Sequence, residues 1–577
     1  MSEPPQGFWK KGIRGTVAWF VILGFGSFFL LFAFGGMVFD SSALSDRLLF
    51  AAVGAVILAL LGTAAVAFFR WVRYWRNLRV VLFGMVCVAT LIALAYAEEN
   101  WRGKHAWERH VRALEARGEK VKLADFVPPA VPDSLNFAIT PLFKMVLDYE
   151  QGPRGTVWRD TNALHRLEEI SAELEMPRAT NAHPSLGNIE KGTFGQITDW
   201  AQFYRGNTNY PQAGPDAAPA EVIVTALNKF TPEIKELQEA AAARPYSRFP
   251  IHYSSEPPWA ILLPHLSRIR VFTTLTQARA LADLELGLST NAFEELRLGL
   301  RLADSIRDEP FLIDHLVRLA SLAIDLQTVR EGLVRHAWSL AQLSDLEVYL
   351  AKIDLLGDYE HAMQAERACS VSGLDYLRRE RFHVNIMDYL ASDSGEAGST
   401  TSWSLMPSGW YYQNMLTLSR MHERFTFRAV DIGAHRAFPD ISDEAMRTFE
   451  SMPNGPLDRF AKLLLPAVSK AVIKFARMQT SVDCARVACA LERYRQEHGQ
   501  LPPDLSVLRP KFIQTIPNDV IAGAPLRYVP QPDGGYILYS VGWNKTDDGG
   551  KVVMSRKSEK SVDATAGDWV WQIPAKQ

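Results

Sequence analysis

One polar helical segment, Asp358 to about Leu390, carries the side chains whose types could do acid–base chemistry. His361 and Glu366 could act as an acid–base couple, with Asp375 as a third candidate, as in a hydrolase. However, His361 and Glu366 are five residues apart, whereas a spacing of three or four places two side chains on one helical face. We therefore expect structural roles for these residues, such as a buried pair between Glu366 and Arg367.

The short motifs of the common hydrolases and nucleotide-binding enzymes are absent from the sequence. It has no Gly-x-Ser-x-Gly elbow, no His-Glu-x-x-His zinc helix and no phosphate-binding glycine loop. The four cysteines show no zinc-binding spacing. We therefore expect a binding or assembly protein without an identifiable catalytic activity. The alternative is an extracytoplasmic hydrolase that acts on envelope material.

Three apolar runs within residues 1–97 predict a membrane anchor with helices at about 16–39, 48–69 and 80–97. Each run is about long enough to cross ~30 Å of hydrocarbon at ~1.5 Å per residue. A buried helical hairpin of a soluble protein is the alternative, but three such runs in succession favour the membrane. A transporter is a third possibility, but three helices without intramembrane charges make a poor pore unless the protein oligomerises.

Basic residues predict how this anchor is oriented. They lie in the N-terminal tail and between the second and third runs, namely Lys10, Lys11, Arg14, Arg70, Arg73, Arg76 and Arg79. By the positive-inside rule both segments are cytoplasmic, and three crossings then place residues after 97 outside. The sequence therefore predicts a bacterial inner (cytoplasmic) membrane protein that contacts membrane lipid. Because no Ala-x-Ala site follows the first run, we interpret that run as uncleaved.

The outer region is predicted to be mainly α-helical. Residues 98–220 are interpreted as a stalk helix and an irregular connector, and 221–455 as an array of helical hairpins without a regular repeat period. Within the connector, the prolines of Phe126–Asp133 predict an extended conformation. The formal net charge of −2 argues against a nucleic-acid partner.

Residues 456–577 predict a small α+β module, with a long helix lying on an antiparallel sheet. The helix runs from about Leu465 to His498 and is ended by Gly499. Strand-like runs follow, and Asp533-Gly-Gly535 is a hairpin signal. A disulfide that joins Cys369 to Cys484 or to Cys489 is one possibility, and free thiols are the other.

Three stretches of this module resemble the head domain of the major pseudopilin of type II secretion. They are LERYRQEHGQLPPDLSVL, IPNDVIAGAPLRYV and GGYILYSVGWNKTDDGG, and the resemblance covers about residues 475–572. The chain departs from the family in two ways. The hydrophobic assembly helix and its cleavage site are not joined to the module, and Asn518-Asp519-Val520 replaces the family's Asp-Pro. The resemblance implies a reused head domain, with other envelope or secretion proteins as partners.

The outer region as a whole resembles large uncharacterised membrane proteins of planctomycete and verrucomicrobial type bacteria. The stretches that carry this resemblance are PPAVPDSLNFAITPLF, RPYSRFPI and DEPFLIDHLVRLA, together with the C-terminal module. The resemblance agrees with the predicted architecture and implies no activity.

The pseudopilin resemblance further implies a calcium ion as cofactor, bound in an acidic loop. The matching positions are Asp547 and Asp548, with Asp568 as a further candidate ligand. Calcium takes six to eight oxygen ligands, which three carboxylates and nearby carbonyl groups could supply. The alternative is a solvated Asp-Asp-Gly-Gly turn that binds no ion.

Overall fold

The structure, a computed structural model, describes most of the chain after residue 43. The described residues are 20–22, 27, 44–72, 75–152, 155–161, 165, 168, 186–382, 405–453, 455–556 and 561–574. They divide into two units, Met1–Glu99 and Asn100–Gln577.

The first unit contains apolar helices. Helix α1 is Leu44–Val72, and helix α2, Trp75–Ala116, begins in this unit and continues past Glu99 into the second. Over Leu78–Ala116, α2 is long and apolar enough to cross a membrane, and it is the one such candidate among the described residues, where the sequence predicts three. In α1 the apolar stretch Ala52–Val66 is shorter than the ~20 residues of a full span. The predicted span 16–39 lies almost wholly outside the described residues.

The second unit is mainly helical, as predicted. After α2 its helices are α3 Pro141–Leu147, α4 Ile197–Tyr204, α5 Pro219–Leu227, α6 Thr231–Ala243, α7 His265–Glu285, α8 Ser289–Asp304, α9 Leu312–Val334, α10 Leu340–Leu350, α11 Leu355–Glu380, α12 Ser408–Met421, α13 Pro439–Ser451, α14 Arg459–Ser469 and α15 Ala471–His498. Its strands are short: β1 Tyr149–Gly152, β2 Gly155–Trp158, β3 Leu186–Asn188, β4 Thr193–Gly195, β5 Val430–Asp431, β6 Arg436–Ala437, β7 Arg527–Pro530, β8 Tyr536–Ser540, β9 Val552–Met554, β10 Val562–Gly567 and β11 Trp569–Ile573. The strands pair antiparallel in small sheets. The predicted division of the outer region at residues 220 and 455 stays a prediction.

Helices α7, α8 and α9 pack against one another through apolar faces. The short connections between them make consecutive helices run in opposite directions. Near the end of α9, Gly332 leaves room for the indole of Trp338. A Cβ atom at position 332 would lie 2.0 Å from the nearest indole atom. The Trp338 indole N–H donates to the carbonyl oxygen of Val329 at 3.0 Å, which closes this end of the array.

Helix α15 belongs to the helical array and to the C-terminal sheet at once. It packs against α9, α10 and α11, and also against β8, β10 and β11. The predicted helix 465–498 is divided at Lys470, where α14 ends and α15 begins. Cys484 and Cys489 are buried in α15, and all four cysteines of the chain are free, so neither possible disulfide with Cys369 forms.

The C-terminal sheet has the strand order β11-β8-β7, with the predicted hairpin between β7 and β8. On its β11 side, the buried guanidinium of Arg330 donates to the carbonyl oxygen of Gln572 at 3.0 Å. The same guanidinium donates to the carbonyl oxygens of Gly192 and Thr193, in the β3–β4 hairpin. Arg330 therefore joins α9, this hairpin and the sheet through three backbone acceptors.

Candidate functional site

A cavity of about 440 Å³ in the second unit is the candidate site, and we call it the connector pocket. Its walls come from Lys120 and the connector residues Phe126–Pro129 and Val131, from Tyr246 and Ser247, and from the polar residues Arg307, Asp308, Asp358 and His361. Volumes of this size are typical of small-molecule sites.

Asn136 brings two of these segments together. Its side-chain oxygen accepts from the N–H of Arg248 at 2.9 Å, and its amide donates to the carbonyl oxygen of the same residue at 2.9 Å. Next to it, the Phe137 N–H donates to the carbonyl oxygen of Tyr246 at 2.8 Å. These bonds hold residues 246–247 beside the proline-rich connector, which forms the apolar wall of the pocket as an irregular segment.

His361 and Asp358 are three residues apart on α11 and both line the pocket. A spacing of three puts the two side chains on one helical face, which the pairing of His361 with Glu366 could not do. The ring of His361 contacts Phe126 of the connector, with ring centroids 5.9 Å apart. Sequence reasoning missed Asp358, although its spacing from His361 is a signal that could have found it.

A buried arginine stands behind Asp358. The guanidinium of Arg318, whose side chain is 2 % exposed, pairs with Asp358 and donates to Asp304 at 2.8 Å. The Tyr349 hydroxyl also donates to Asp304. Arg318 lies on α9, Asp304 ends α8, Asp358 opens α11 and Tyr349 lies on α10, so one charged network joins four helices.

Burial and neighbouring charges shift the pKa values of the residues at this site. Burial raises the pKa of Asp358 to about 6, against the attraction of Arg318. Burial would lower the pKa of Arg318, but Asp358 and Asp304 raise it above its ordinary value, so Arg318 stays charged. Burial lowers the pKa of His361, Lys120 lowers it further, and Asp308 acts in the opposite direction. His361 is therefore neutral at pH 7.

A second group of buried titratable residues lies beyond the pocket wall. The Tyr253 hydroxyl donates to Glu309, and the imidazole Nε2 of His315 lies 3.0 Å from the Glu309 carbonyl oxygen. Burial raises the pKa of Glu309 to about 7 and lowers that of His315 to about 3. Since His315 is fully buried and neutral, we assign this group to the core.

Two polar atoms at the pocket have no partner of their own. Within the described part of the chain, neither Nε2 of His361 nor the hydroxyl oxygen of Ser247 makes a hydrogen bond, although both atoms are buried. Buried polar atoms are almost always hydrogen-bonded in folded proteins. The pocket lining therefore contains two buried polar groups whose hydrogen-bonding capacity is unused.

Glu366 and Asp375, the other two acid–base candidates from the sequence, lie outside the pocket lining. Arg367 pairs with Glu119 at 2.9 Å and not with Glu366, because adjacent helical residues point about 100° apart. The predicted Glu366–Arg367 pair is therefore wrong. Burial raises the pKa of Glu366 to about 7. Asp375 pairs with Arg378 at 2.9 Å and Arg379 at 3.2 Å, so His361, Glu366 and Asp375 do not share one site.

The three predicted calcium ligands each accept hydrogen bonds from the protein. The buried Asp568 carboxylate accepts from the N–H groups of Asp548, at 3.1 Å, and Gly550, at 2.7 Å. Asp547 accepts from the Tyr539 hydroxyl at 3.0 Å, and Asp548 from the Asn544 amide at 2.9 Å. In the described ranges no three acidic, histidine or cysteine side chains gather as a metal-holding group. Here the carboxylates order the loop, and calcium binding stays a prediction.

Asp519, at the position where the chain departs from the pseudopilin pattern, has a similar structural role. Its buried carboxylate accepts from the Ser540 hydroxyl at 2.7 Å and from the Val541 N–H at 3.0 Å. It thereby fastens the turn before β7 to the end of β8.

The fold and the pocket together define a mainly helical protein with one candidate membrane helix, small antiparallel sheets and a mixed polar and apolar cavity. Comparison with protein-family models, with curated proteins and with solved structures gives no significant match. The resemblance to pseudopilin heads and to large bacterial membrane proteins therefore stays a prediction.

We expect Arg318→Met to destabilise the protein strongly, because it leaves the carboxylates of Asp304 and Asp358 without their buried partner. Removing one member of a buried ion pair costs about 3–5 kcal/mol. Thermal melting of the full chain in mild detergent should show a midpoint several degrees lower. Arg307→Met, on a half-exposed side chain, is the control and should melt close to wild type. Equal midpoints for the two variants would contradict the role given to Arg318.

We expect Asp568→Asn to lower the free energy of unfolding by about 1–3 kcal/mol, because the amide replaces a carboxylate that accepts two backbone N–H groups. The exposed Asp548→Asn is the matched control and should cost less. Melting with excess EDTA and with millimolar calcium distinguishes a structural role of the loop carboxylates from calcium binding. A wild-type midpoint that rises with calcium, and no longer rises in Asp568→Asn, would establish the metal site instead.

Proposed function

We propose that this chain is a membrane-anchored, extracytoplasmic binding or assembly protein of the bacterial cell envelope. The observation that carries the binding role is the connector pocket, where polar groups from four distant segments line one cavity and two buried polar atoms lack partners. Pockets that combine an apolar wall with a few convergent polar groups are the usual form of a ligand site.

The anchoring role rests on the apolar N-terminal sequence and its charges. Helix α2 supports one span, and the three apolar runs with their flanking basic residues favour three spans. Under this proposal the bulk of the chain lies outside the cytoplasm, on the outer face of the inner membrane. Membrane lipid would then contact the anchor.

Other envelope or secretion proteins are the partners that the C-terminal sequence favours. A long helix packed on a three-stranded antiparallel sheet agrees with the pseudopilin-head resemblance of residues 475–572. Because α15 is also a core helix of the array, a partner bound at this sheet would contact the same unit that contains the pocket.

An extracytoplasmic hydrolase is the second candidate, and one observation favours it. Ser247 and His361 line the same pocket as Asp358, which are the residue types of a serine hydrolase. No hydrogen bond joins Ser247 to His361, whereas a nucleophile and its base lie within hydrogen-bond reach. This missing contact makes the binding role the better proposal.

The anchoring proposal predicts a defined topology. The full chain should stay in the membrane after alkaline extraction, and a C-terminal epitope tag should be digested by protease added to spheroplasts. In inverted membrane vesicles the same tag should be protected. A tag that is digested only in inverted vesicles would overturn the proposed orientation, and release by alkaline extraction would overturn the anchor.

A hydrolase turns over a substrate, whereas a binding protein does not. We expect the purified full chain to hydrolyse small ester and amide reporter substrates no faster than Ser247→Ala does. Ser254→Ala, on an exposed side chain nearby, is the matched control. Turnover that is lost in Ser247→Ala and His361→Ala, but kept in Ser254→Ala, would establish the hydrolase in place of the binding protein.

A further inference from the structure

The connector pocket has an unpaired positive charge at its edge. Lys120 is exposed, and among the residues described no carboxylate pairs with its ammonium group, which lies 5.2 Å from the centre of the Phe126 ring. Its charge acts within the pocket, since Lys120 lowers the pKa of His361 more than Asp308 raises it. The ammonium group and the His361 ring both lie against Phe126, so a positive charge stands on the His361 side of the pocket.

The two carboxylates of the pocket already have cationic partners. Asp308 lies 3.3 Å from Nε of Arg307, and Asp358 pairs with the buried Arg318. Arg307 donates a hydrogen bond from Nε to Asp308, and its remaining N–H groups can donate to a ligand. The groups left to bind a ligand are therefore mostly donors: Lys120, Arg307 and the Ser247 hydroxyl.

The pocket also has an apolar wall. It consists of Phe126, Pro128, Pro129 and Val131 of the connector, with Tyr246 beside them. Proline and aromatic side chains offer a stiff surface against which a flat or branched hydrocarbon group can pack without much loss of side-chain entropy. The ligand should therefore have one anionic end and one apolar body.

We propose that the connector pocket binds a small organic monocarboxylate with an apolar or aromatic body. Its carboxylate would take hydrogen bonds from Lys120 and Arg307, and its body would lie against the connector. This proposal rests on the proposed function, in which the pocket is a ligand site. A dianion is disfavoured because the carboxylates of Asp308 and Asp358 lie in the same lining.

Acidification should strengthen this binding. Protonation of Asp358, whose pKa is about 6, removes a negative charge, and protonation of His361 below its lowered pKa adds a positive one. A ligand carboxylate, with an ordinary pKa of about 4–5, stays ionised over the same range. The charged or titratable groups that face these two residues are Lys120, Arg307, Asp308, Asp304, His315, Arg318 and Asp354.

Calorimetric titration of the full chain in mild detergent with 4-phenylbutyrate tests the proposal. Binding should be at least ten-fold weaker for Lys120→Gln and unchanged for Lys122→Gln, an exposed lysine outside the pocket lining. Affinity should be higher at pH 5.5 than at pH 7.5. Titration into detergent alone is subtracted, and melting curves of both variants verify that they are folded.

Two further probes distinguish a wrongly assigned ligand class from a pocket that binds no ligand. Phenylbutylamine has the same body with a positive end, and phenylphosphonate has a dianionic end. If either binds more tightly than 4-phenylbutyrate and His361→Ala weakens it, the pocket is a ligand site and the monocarboxylate assignment is overturned. If none of the three binds, the carboxylate assignment and the binding role of the pocket both fail, while the membrane topology is tested independently.

Discussion

The buried guanidinium of Arg318 is the constraint on which the helical array depends. A charge that is 2 % exposed must keep its partners, because an unpaired ion in the interior costs several kcal/mol. Its partners are the last residue of α8 and an early residue of α11. The ends of these two helices must therefore meet at α9, and that meeting point forms the polar wall of the connector pocket.

Helix α15 imposes a second constraint, because its two sides serve different parts of the molecule. One side fills the array against α9, α10 and α11, and the other carries the C-terminal sheet. Its residues are buried along most of its length, which explains why Cys484 and Cys489 pack as small apolar side chains without forming disulfides. The C-terminal sheet and the helical array thus share one long helix.

Much of the secondary structure could be predicted from local patterns. The glycine that ends α15 and the Asp533-Gly-Gly535 turn act over a few residues, and they predict the end of a helix and a hairpin. The break at Lys470 was missed, because the helical pattern continues through Pro466 and into α15. The sequence predicts three membrane spans, and the described residues contain one candidate. The apolar stretch of α1 is too short for a full span, and the run 16–39 lies almost wholly outside the described residues.

The sequence by itself determined which segments are helical or apolar, the charge asymmetry around the apolar runs, and the stiffness of the proline connector. Only the tertiary structure decided the site. It joined Lys120, Ser247, Arg307 and His361, which are up to 241 positions apart. The physical reason is that side-chain periodicity acts within one helix, whereas a pocket is made where helix ends and loops meet. That meeting is set by burial and ion pairing between residues distant in the chain.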